Sequence, residues 1–289
     1  MGFEAPRRLV RALGESDPWL GRLPGIAEET VARLGLEVER VLAPGGRSGL
    51  ILLVRRADGT PAALKLAPPQ ALPALERAAL EHWGGWGSVE PLAMGDTGDA
   101  LLLERLHPEV SLRSLPEAKA LLEAAGIVRR LWTPPPAGHG FETVAERTDR
   151  QARGLRGLDD PLVAAALERR DELVADAPES LLLHGAFRQG KVLAADRTPW
   201  LAVGPEPVVG ERAYDLARLV RDRAEDLIAA SSGPSAARRR VRRLADSLEV
   251  DAERVRGWGL FRAVESGMRG VAAGRLREAE LTLEFASWL

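Results

Sequence analysis

Between residues 37 and 106 the pattern of apolar and polar positions is strand-rich, in the short runs VERVL, GLILLVRR, PAALKLA and ALLLERL. Asp58-Gly59, inside the ADGT that separates two of these runs, predicts a hairpin closed by a primed turn, because glycine accepts the positive φ such a turn demands. A helix is predicted over 73–83, with Leu75, Ala78, Ala79 and His82 on one face and the glycine-rich GGWG ending it. Beyond Leu106 the pattern changes. Helical spacing runs over 115–132, 160–177, 211–230, 236–248 and 251–289, with breaks at 134–136 and at SSGPS, 231–235. Inside that half lies one short strand pair, KVLAA and WLAV, preceded by the loop HGAFRQG. The pattern predicts an α+β chain: a small antiparallel-sheet lobe over 1–106 and a larger, mainly helical lobe over 107–289. No internal repeat is present.

Composition narrows the classes. The chain has 289 residues, 45% hydrophobic and 28% charged, enough for a proper core, and a net charge of −2 with the signs interspersed. No apolar run approaches the roughly 18 residues of a membrane span, and the N-terminal MGFEAPRRLVRALGESDPWL lacks the continuous apolar core of a secretory signal, so a cytoplasmic location is expected. With no cysteine, thiolate zinc sites and cysteine nucleophiles are excluded, and the histidines at 82, 107, 139 and 184 make no metal-ligand spacing. The arginine run AARRRVRRL, 236–244, reads as the exposed face of a helix with Val241 and Leu244 turned inward. Without interleaved aromatic residues it carries no expectation of nucleic acid.

Against 37 arginines stand three lysines. Lys65 is one of them, placed inside the apolar run AALKLA, and Glu76 follows on the predicted helix. A lysine on a sheet strand with a glutamate on the next helix is how kinases hold a nucleotide, the ammonium reaching the phosphates and the carboxylate orienting it. A lone strand lysine is more often a solvated face. PGGRSG, 44–49, offers backbone N–H groups that could meet phosphates, and LLLERL, 101–106 with Glu104, is the strand whose backbone could meet an adenine ring.

DGTPAALKL, LLLERL, the HG loop, WLAVGPEPVVGERAYDLARLV (200–220) and RVRGWGLFRAVESG (254–267) occur in an order that resembles the streptomycin 6-kinase and hydroxyurea-kinase branch of the aminoglycoside phosphotransferases, over about residues 36–267. The resemblance implies a relative of the protein-kinase fold, with ATP between two lobes and a cationic sugar antibiotic against the helical one. Glu265, in AVESG, matches a family position near the substrate, Asp215 one that braces the catalytic loop, and His184 one that orients backbone. Glu278, Glu280 and Glu284 read equally as helix-surface charges.

The family loop reads H-G-D-L-H-P-G-N-V-L and is followed by a strand ending in I-D-P. Here His184, Gly185, Gly190, Val192 and Leu193 are kept, but Ala186 stands at the catalytic aspartate, Arg188 at the second histidine, Lys191 at the asparagine and Gly204 at the second aspartate. In the family these carboxylates and the asparagine activate the substrate hydroxyl and hold magnesium. A methyl, an ammonium and a hydrogen supply no oxygen to that ion. The resemblance thus implies a degenerate phosphotransferase, a pseudokinase that binds ATP or another nucleotide without magnesium, binds a small cationic ligand, or serves as a scaffold for a protein partner. Lys191 is either drift after loss of the metal or an ammonium in the metal's place, neutralising phosphate charge together with Lys65. The alternative is an active kinase of an aminoglycoside or another small alcohol, its lost carboxylates replaced by Glu206 or Glu211.

Overall fold

The computed structural model describes residues 3–92 and 100–289, so two residues of the N-terminal stretch quoted above lie outside it. Two compact units are present, one formed by 1–109 with 193–201 and the other by 110–192 with 202–289.

The first unit begins with two helices, α1 (Arg7–Leu13) and α2 (Pro18–Arg33). Asp17 caps α2 by accepting from the Trp19 N–H at 2.8 Å, and Pro18 occupies a first-turn position where its missing N–H costs nothing. Four antiparallel strands follow in the order β1 (Glu37–Val41), β2 (Leu50–Arg55), β3 (Pro61–Leu66) and β4 (Ala100–Glu104), with α3 (Pro73–Trp83) between the last two. Cross-strand register aligns Leu52, Leu64 and Leu102 on one face. That face joins Leu9, Trp19, Leu23 and Ala27 of the N-terminal helices in one core. A strand alternates sides at every residue, so the neighbouring row Ile51, Lys65 and Leu101 lies on the opposite face. Lys65 is therefore turned away from the helix-covered core.

Two expectations need correction here. The hairpin is not closed by a primed turn: Gly59 alone has positive φ, +81°, whereas Asp58 is not among the left-handed residues. The Gly59 N–H donates to the Arg56 carbonyl and the Arg56 N–H to Thr60, a tight turn followed by one left-handed glycine, while the Asp58 carboxylate accepts from the Thr60 N–H at 2.9 Å. Helix α3 buries Pro73, Glu76, Ala79, Leu80 and Trp83 rather than the face of Leu75, Ala78 and His82. The inward stripe is the one that carries Glu76 to Lys65.

The second unit contains α4 (Glu117–Leu131), α5 (Val144–Arg153) and α6 (Pro161–Ala175), then α7 (Arg212–Val220), α8 (Ala224–Ile228), α9 (Gly233–Leu248), α10 (Ala252–Ala272) and α11 (Leu276–Ala286). Helix α10 is its centre, lying against α6, α7, α9 and α11. Trp258 on α10 stands edge-on to Tyr214 of α7 and to Phe261, all three fully buried. Strands β6 (Leu181–Leu183) and β9 (Val208–Gly210) form an antiparallel pair. Strands β5 (His107–Ser111), β7 (Val192–Ala194) and β8 (Trp200–Ala202) form a third sheet in the order β5-β7-β8.

The predicted helix over 211–230 is two helices, because Arg223 adopts a left-handed φ of +56° that lets its guanidinium reach the Leu115 carbonyl at 2.8 Å and Gln189 Oε1 at 2.8 Å. The one over 251–289 is broken at Gly274, φ +69°. SSGPS does not end at a gap: α9 starts at Gly233, with Pro234 in its first turn. In the arginine run, Val241 and Leu244 are buried as expected, but so is Arg240, which donates to Glu117 at 2.6 and 3.0 Å and to the Val220 carbonyl at 2.9 Å. Among the described residues no helix is long and apolar enough to cross a membrane.

Candidate functional site

In the first unit Lys65 and Glu76 form a buried ion pair, 6% and 3% exposed. Glu76 Oε2 takes the Lys65 ammonium, while Oε1 is buried without a hydrogen-bond partner. Glu104 is already engaged. Its carboxylate accepts from Arg197 at 2.8–3.1 Å and from the Glu90 N–H at 2.8 Å. Arg197 also donates to the Gly85 and Ser88 carbonyls, so the pair fastens the GGWG turn to β4. In the glycine turn 44–49, a Cβ on Gly49 would lie 2.5 Å from the Leu66 carbonyl oxygen, which is why only glycine fits beside β3.

In the second unit the loop from His184 to Lys191 joins β6 to β7 and is held from beneath by Asp215, in the first turn of α7. The fully buried Asp215 carboxylate accepts from the N–H groups of His184 at 2.9 Å and Gly185 at 2.7 Å and from the Trp132 indole at 3.3 Å. Burial pushes its pKa up, opposed by Arg262 and by the two backbone donors. Arg262 in turn donates to the Gly185 carbonyl at 2.6 Å and the Tyr214 carbonyl at 2.9 Å, lying 4.1 Å over the Tyr214 ring. Gly185, φ +72°, passes so close to the next chain segment that a Cβ would sit 1.9 Å from the Glu206 carbonyl oxygen.

His184 is fully buried, its Nε2 facing the Val203 carbonyl at 3.2 Å and its Nδ1 accepting from the Ala186 N–H at 3.3 Å. That pattern fits a neutral ring protonated on Nε2. Burial, and next the positive charge of Lys191, hold its pKa down at about 3. His184 and Asp215 thus fix backbone, and neither presents a polar atom outward.

Of the positions that the resemblance assigns to the reaction, Lys191 and Gly204 are brought together. Ala186 is fully buried. Lys191 donates from Nζ to the Gly204 carbonyl at 2.7 Å and to Glu206 Oε1 at 3.3 Å. A Cβ built on Gly204 would lie 3.9 Å from that same nitrogen, so the ammonium stands beside position 204. Glu206 also faces Arg218 at 3.9 Å. Burial would raise the Glu206 pKa, but Lys191 and then Arg218 overcome it and hold the carboxylate well below its usual range. The neighbouring Gln189 is buried, its backbone N–H donating to Asp222 and its side-chain Oε1 accepting from Arg223.

A magnesium ion needs several oxygen ligands. Around Lys191 the carboxylate in reach already faces two cations, and among the described residues no group of three or more His, Asp or Glu could hold a metal. This donor set does not suit magnesium. Glu211, the other carboxylate considered as a replacement, is 2% exposed and receives Arg254 Nε and NH2 at 2.5 and 2.7 Å and the Trp258 indole at 2.7 Å. Glu265, on α10, has a largely buried side chain and pairs with Arg269 at 3.3 Å. Reading the sequence missed Arg147, Arg218 and Arg262. The available signal was spacing: Arg218 lies one turn after Asp215 on α7.

A sequence profile for the family described as aminoglycoside/hydroxyurea antibiotic resistance kinase matches residues 34–274. Streptomycin 6-kinase of Streptomyces glaucescens is 32% identical over 273 residues, covering 92% of this chain and 89% of that protein. Hydroxyurea phosphotransferase of Kitasatospora aureofaciens is 35% identical over 285 residues, covering 92% and 78%. Among solved structures, a thermostable mutant of aminoglycoside phosphotransferase APH(4)-Ia, in a ternary complex with ADP and hygromycin B, has a TM-score of 0.62 at 17% identity, over 90% of this chain and 96% of that one. At that identity the likeness is one of fold.

Proposed function

The chain belongs to the aminoglycoside/hydroxyurea antibiotic resistance kinase family, and we propose that it is a streptomycin phosphotransferase-like member that binds a nucleotide without magnesium and transfers phosphate poorly or not at all. The observation that carries this reading is the ammonium of Lys191 beside Gly204, where the family resemblance calls for an aspartate and a metal. A fixed cation supplies part of the charge neutralisation that magnesium would give to phosphate oxygens, without ligands or dehydration. In the first unit the buried Lys65–Glu76 pair supports the nucleotide side of the reading, as does the ADP held by a relative of the same fold.

Loss of the base works against turnover. Removing a general base costs about 10²- to 10⁴-fold, and the metal's charge stabilisation is lost besides. Glu211 is locked by Arg254 and Trp258, and Glu206 is paired with the cations Lys191 and Arg218 rather than with a metal, so neither supports the reading of an active enzyme with relocated carboxylates.

Calorimetric titration with ATP in EDTA tests the proposal, together with radiolabelled ATP offered with streptomycin and with hydroxyurea. Binding in EDTA, weakened about tenfold or more in Lys191→Ala, with no labelled product, is expected. Absence of binding, or steady magnesium-dependent transfer to either acceptor, would overturn it.

A further inference from the structure

The cation at Lys191 already has an anion. Glu206 reaches Nζ at 3.3 Å and Arg218 at 3.9 Å, yet 55% of its side chain is exposed. Its backbone is held on both sides. The Glu206 N–H donates to the His184 carbonyl at 2.9 Å, and Arg147 donates at 2.8 Å to the carbonyls of both Glu206 and Pro207. Arg147 is itself anchored by Glu142. The peptide segment is therefore fixed while the carboxylate at its surface is the part able to rotate away. Lys191 differs: its side chain is 18% exposed, and the bond to the Gly204 carbonyl is independent of Glu206. When the carboxylate leaves, the ammonium stays in place.

The two contacts, 3.3 and 3.9 Å, are longer than a good charge-assisted hydrogen bond, and the exposed side chain leaves them open to exchange. A phosphate group brings more negative charge and more acceptor oxygens to the same two cations than a carboxylate does. We propose that Glu206 is a tethered stand-in for the ligand's oxyanion: its carboxylate occupies the cradle of Lys191 and Arg218 in the free protein, and a phosphate or polyphosphate group binds there by displacing it. The inference rests on the metal-free nucleotide reading above and names the residue that sets its affinity. Glu206 is then a selectivity filter, since a monoanion no better than a carboxylate gains nothing by exchange, whereas a polyphosphate does.

The test is a titration in EDTA of wild type, Glu206→Gln and Lys191→Ala/Glu206→Gln with ATP, inorganic triphosphate and acetate, each variant first checked by its thermal melt. Glu206→Gln keeps the shape and removes the charge, so ATP and triphosphate should bind it about tenfold more tightly than wild type, and the gain should vanish in the double variant. Acetate should bind wild type negligibly and the variant weakly. Binding by Glu206→Gln where wild type shows none supports the displacement of Glu206 while overturning the reading that wild type itself binds nucleotide. Equal or weaker triphosphate affinity in Glu206→Gln overturns it, and if wild type still binds ATP through Lys191, the nucleotide reading survives that failure. If neither protein binds either polyphosphate, both proposals fall.

Discussion

Lys191 holds its ammonium 2.7 Å from the carbonyl oxygen of Gly204, and a side chain at 204 would leave the backbone toward the same nitrogen, 3.9 Å away. The two replacements are thus coupled in space although thirteen residues separate them. The Lys191 ammonium is hydrogen-bonded to the Gly204 carbonyl, and a Cβ at 204 would meet it at ordinary van der Waals distance. Glu206 then adds the negative charge that the missing aspartate would have supplied.

Breaking the Lys65–Glu76 pair should cost more than removing it whole. Lys65→Met leaves a buried carboxylate whose Oε1 has no partner either, and about 3–5 kcal/mol of stability should be lost in urea unfolding. Lys65→Met/Glu76→Leu should recover most of that loss, because two apolar side chains of similar length suit the buried site beside Ile51 and Leu101. A double variant as unstable as the single one would show that packing, not the uncompensated charge, dominates.

How far these features were legible in the sequence follows from the kind of signal each one gives. Lys65 was visible because a charge interrupts an apolar run, and the loop register was visible because matching segments flank HGAFRQG on both sides. The inward stripe of α3 was misread because Leu75 and Ala78 look more apolar than a stripe containing Glu76, whose burial depends on a partner from another strand. Helix α2 was missed for a similar reason. Pro24 lies inside it, and burial of Trp19, Leu23 and Ala27 against the sheet outweighs the local penalty. Arg223 and Arg240 could not be placed from spacing, since backbone carbonyls supplied by distant segments determine their geometry.

Asp215 gathers three donors in a dry site, so Asp215→Ala should be among the most damaging single changes in the second unit. It leaves the N–H groups of His184 and Gly185 buried and unsatisfied, at about 1–3 kcal/mol each. Hydrogen exchange should show loss of protection at those two amides before global unfolding. Retained protection would mean that Arg262, through the Gly185 carbonyl, is sufficient to hold the loop.

Acid should weaken the fold through His184. Its folded pKa is about 3 and its unfolded value about 6.5, so between those values the unfolded chain takes up a proton that the folded ring refuses. The contribution of the neutral ring is complete above about pH 6.5 and falls as the pH drops toward 3, on the order of 5 kcal/mol in all. Asp215 acts oppositely in the acid range: burial raises its folded pKa above 3.8, so its share is lost as pH rises through that folded value. The two are separated by comparing wild type with His184→Gln, whose stability should be less sensitive to acid between pH 6.5 and 4. Parallel pH profiles would remove His184 as the cause.

The coupling of residues 191 and 204 can be reversed. Aspartate tolerates the left-handed conformation that Gly204 adopts, φ +61°, better than most side chains, so Gly204→Asp should fold at a cost of about 1 kcal/mol. Alone it places a carboxylate against Lys191, neutralises the cation, and should weaken metal-free ATP binding about tenfold. Combined with Lys191→Asn it replaces an ammonium by two oxygen-bearing side chains, the ligand type that magnesium requires. Wild type should then show an ATP-induced rise in melting temperature that is the same in EDTA as in magnesium, whereas Lys191→Asn/Gly204→Asp should show it only with magnesium, by roughly 5 °C at a hundredfold excess over Kd. A magnesium requirement in wild type equal to that of the double variant would mean that Lys191 does not stand in for the metal. Because Ala186 remains unchanged in both proteins, the comparison reads ion binding without asking for turnover.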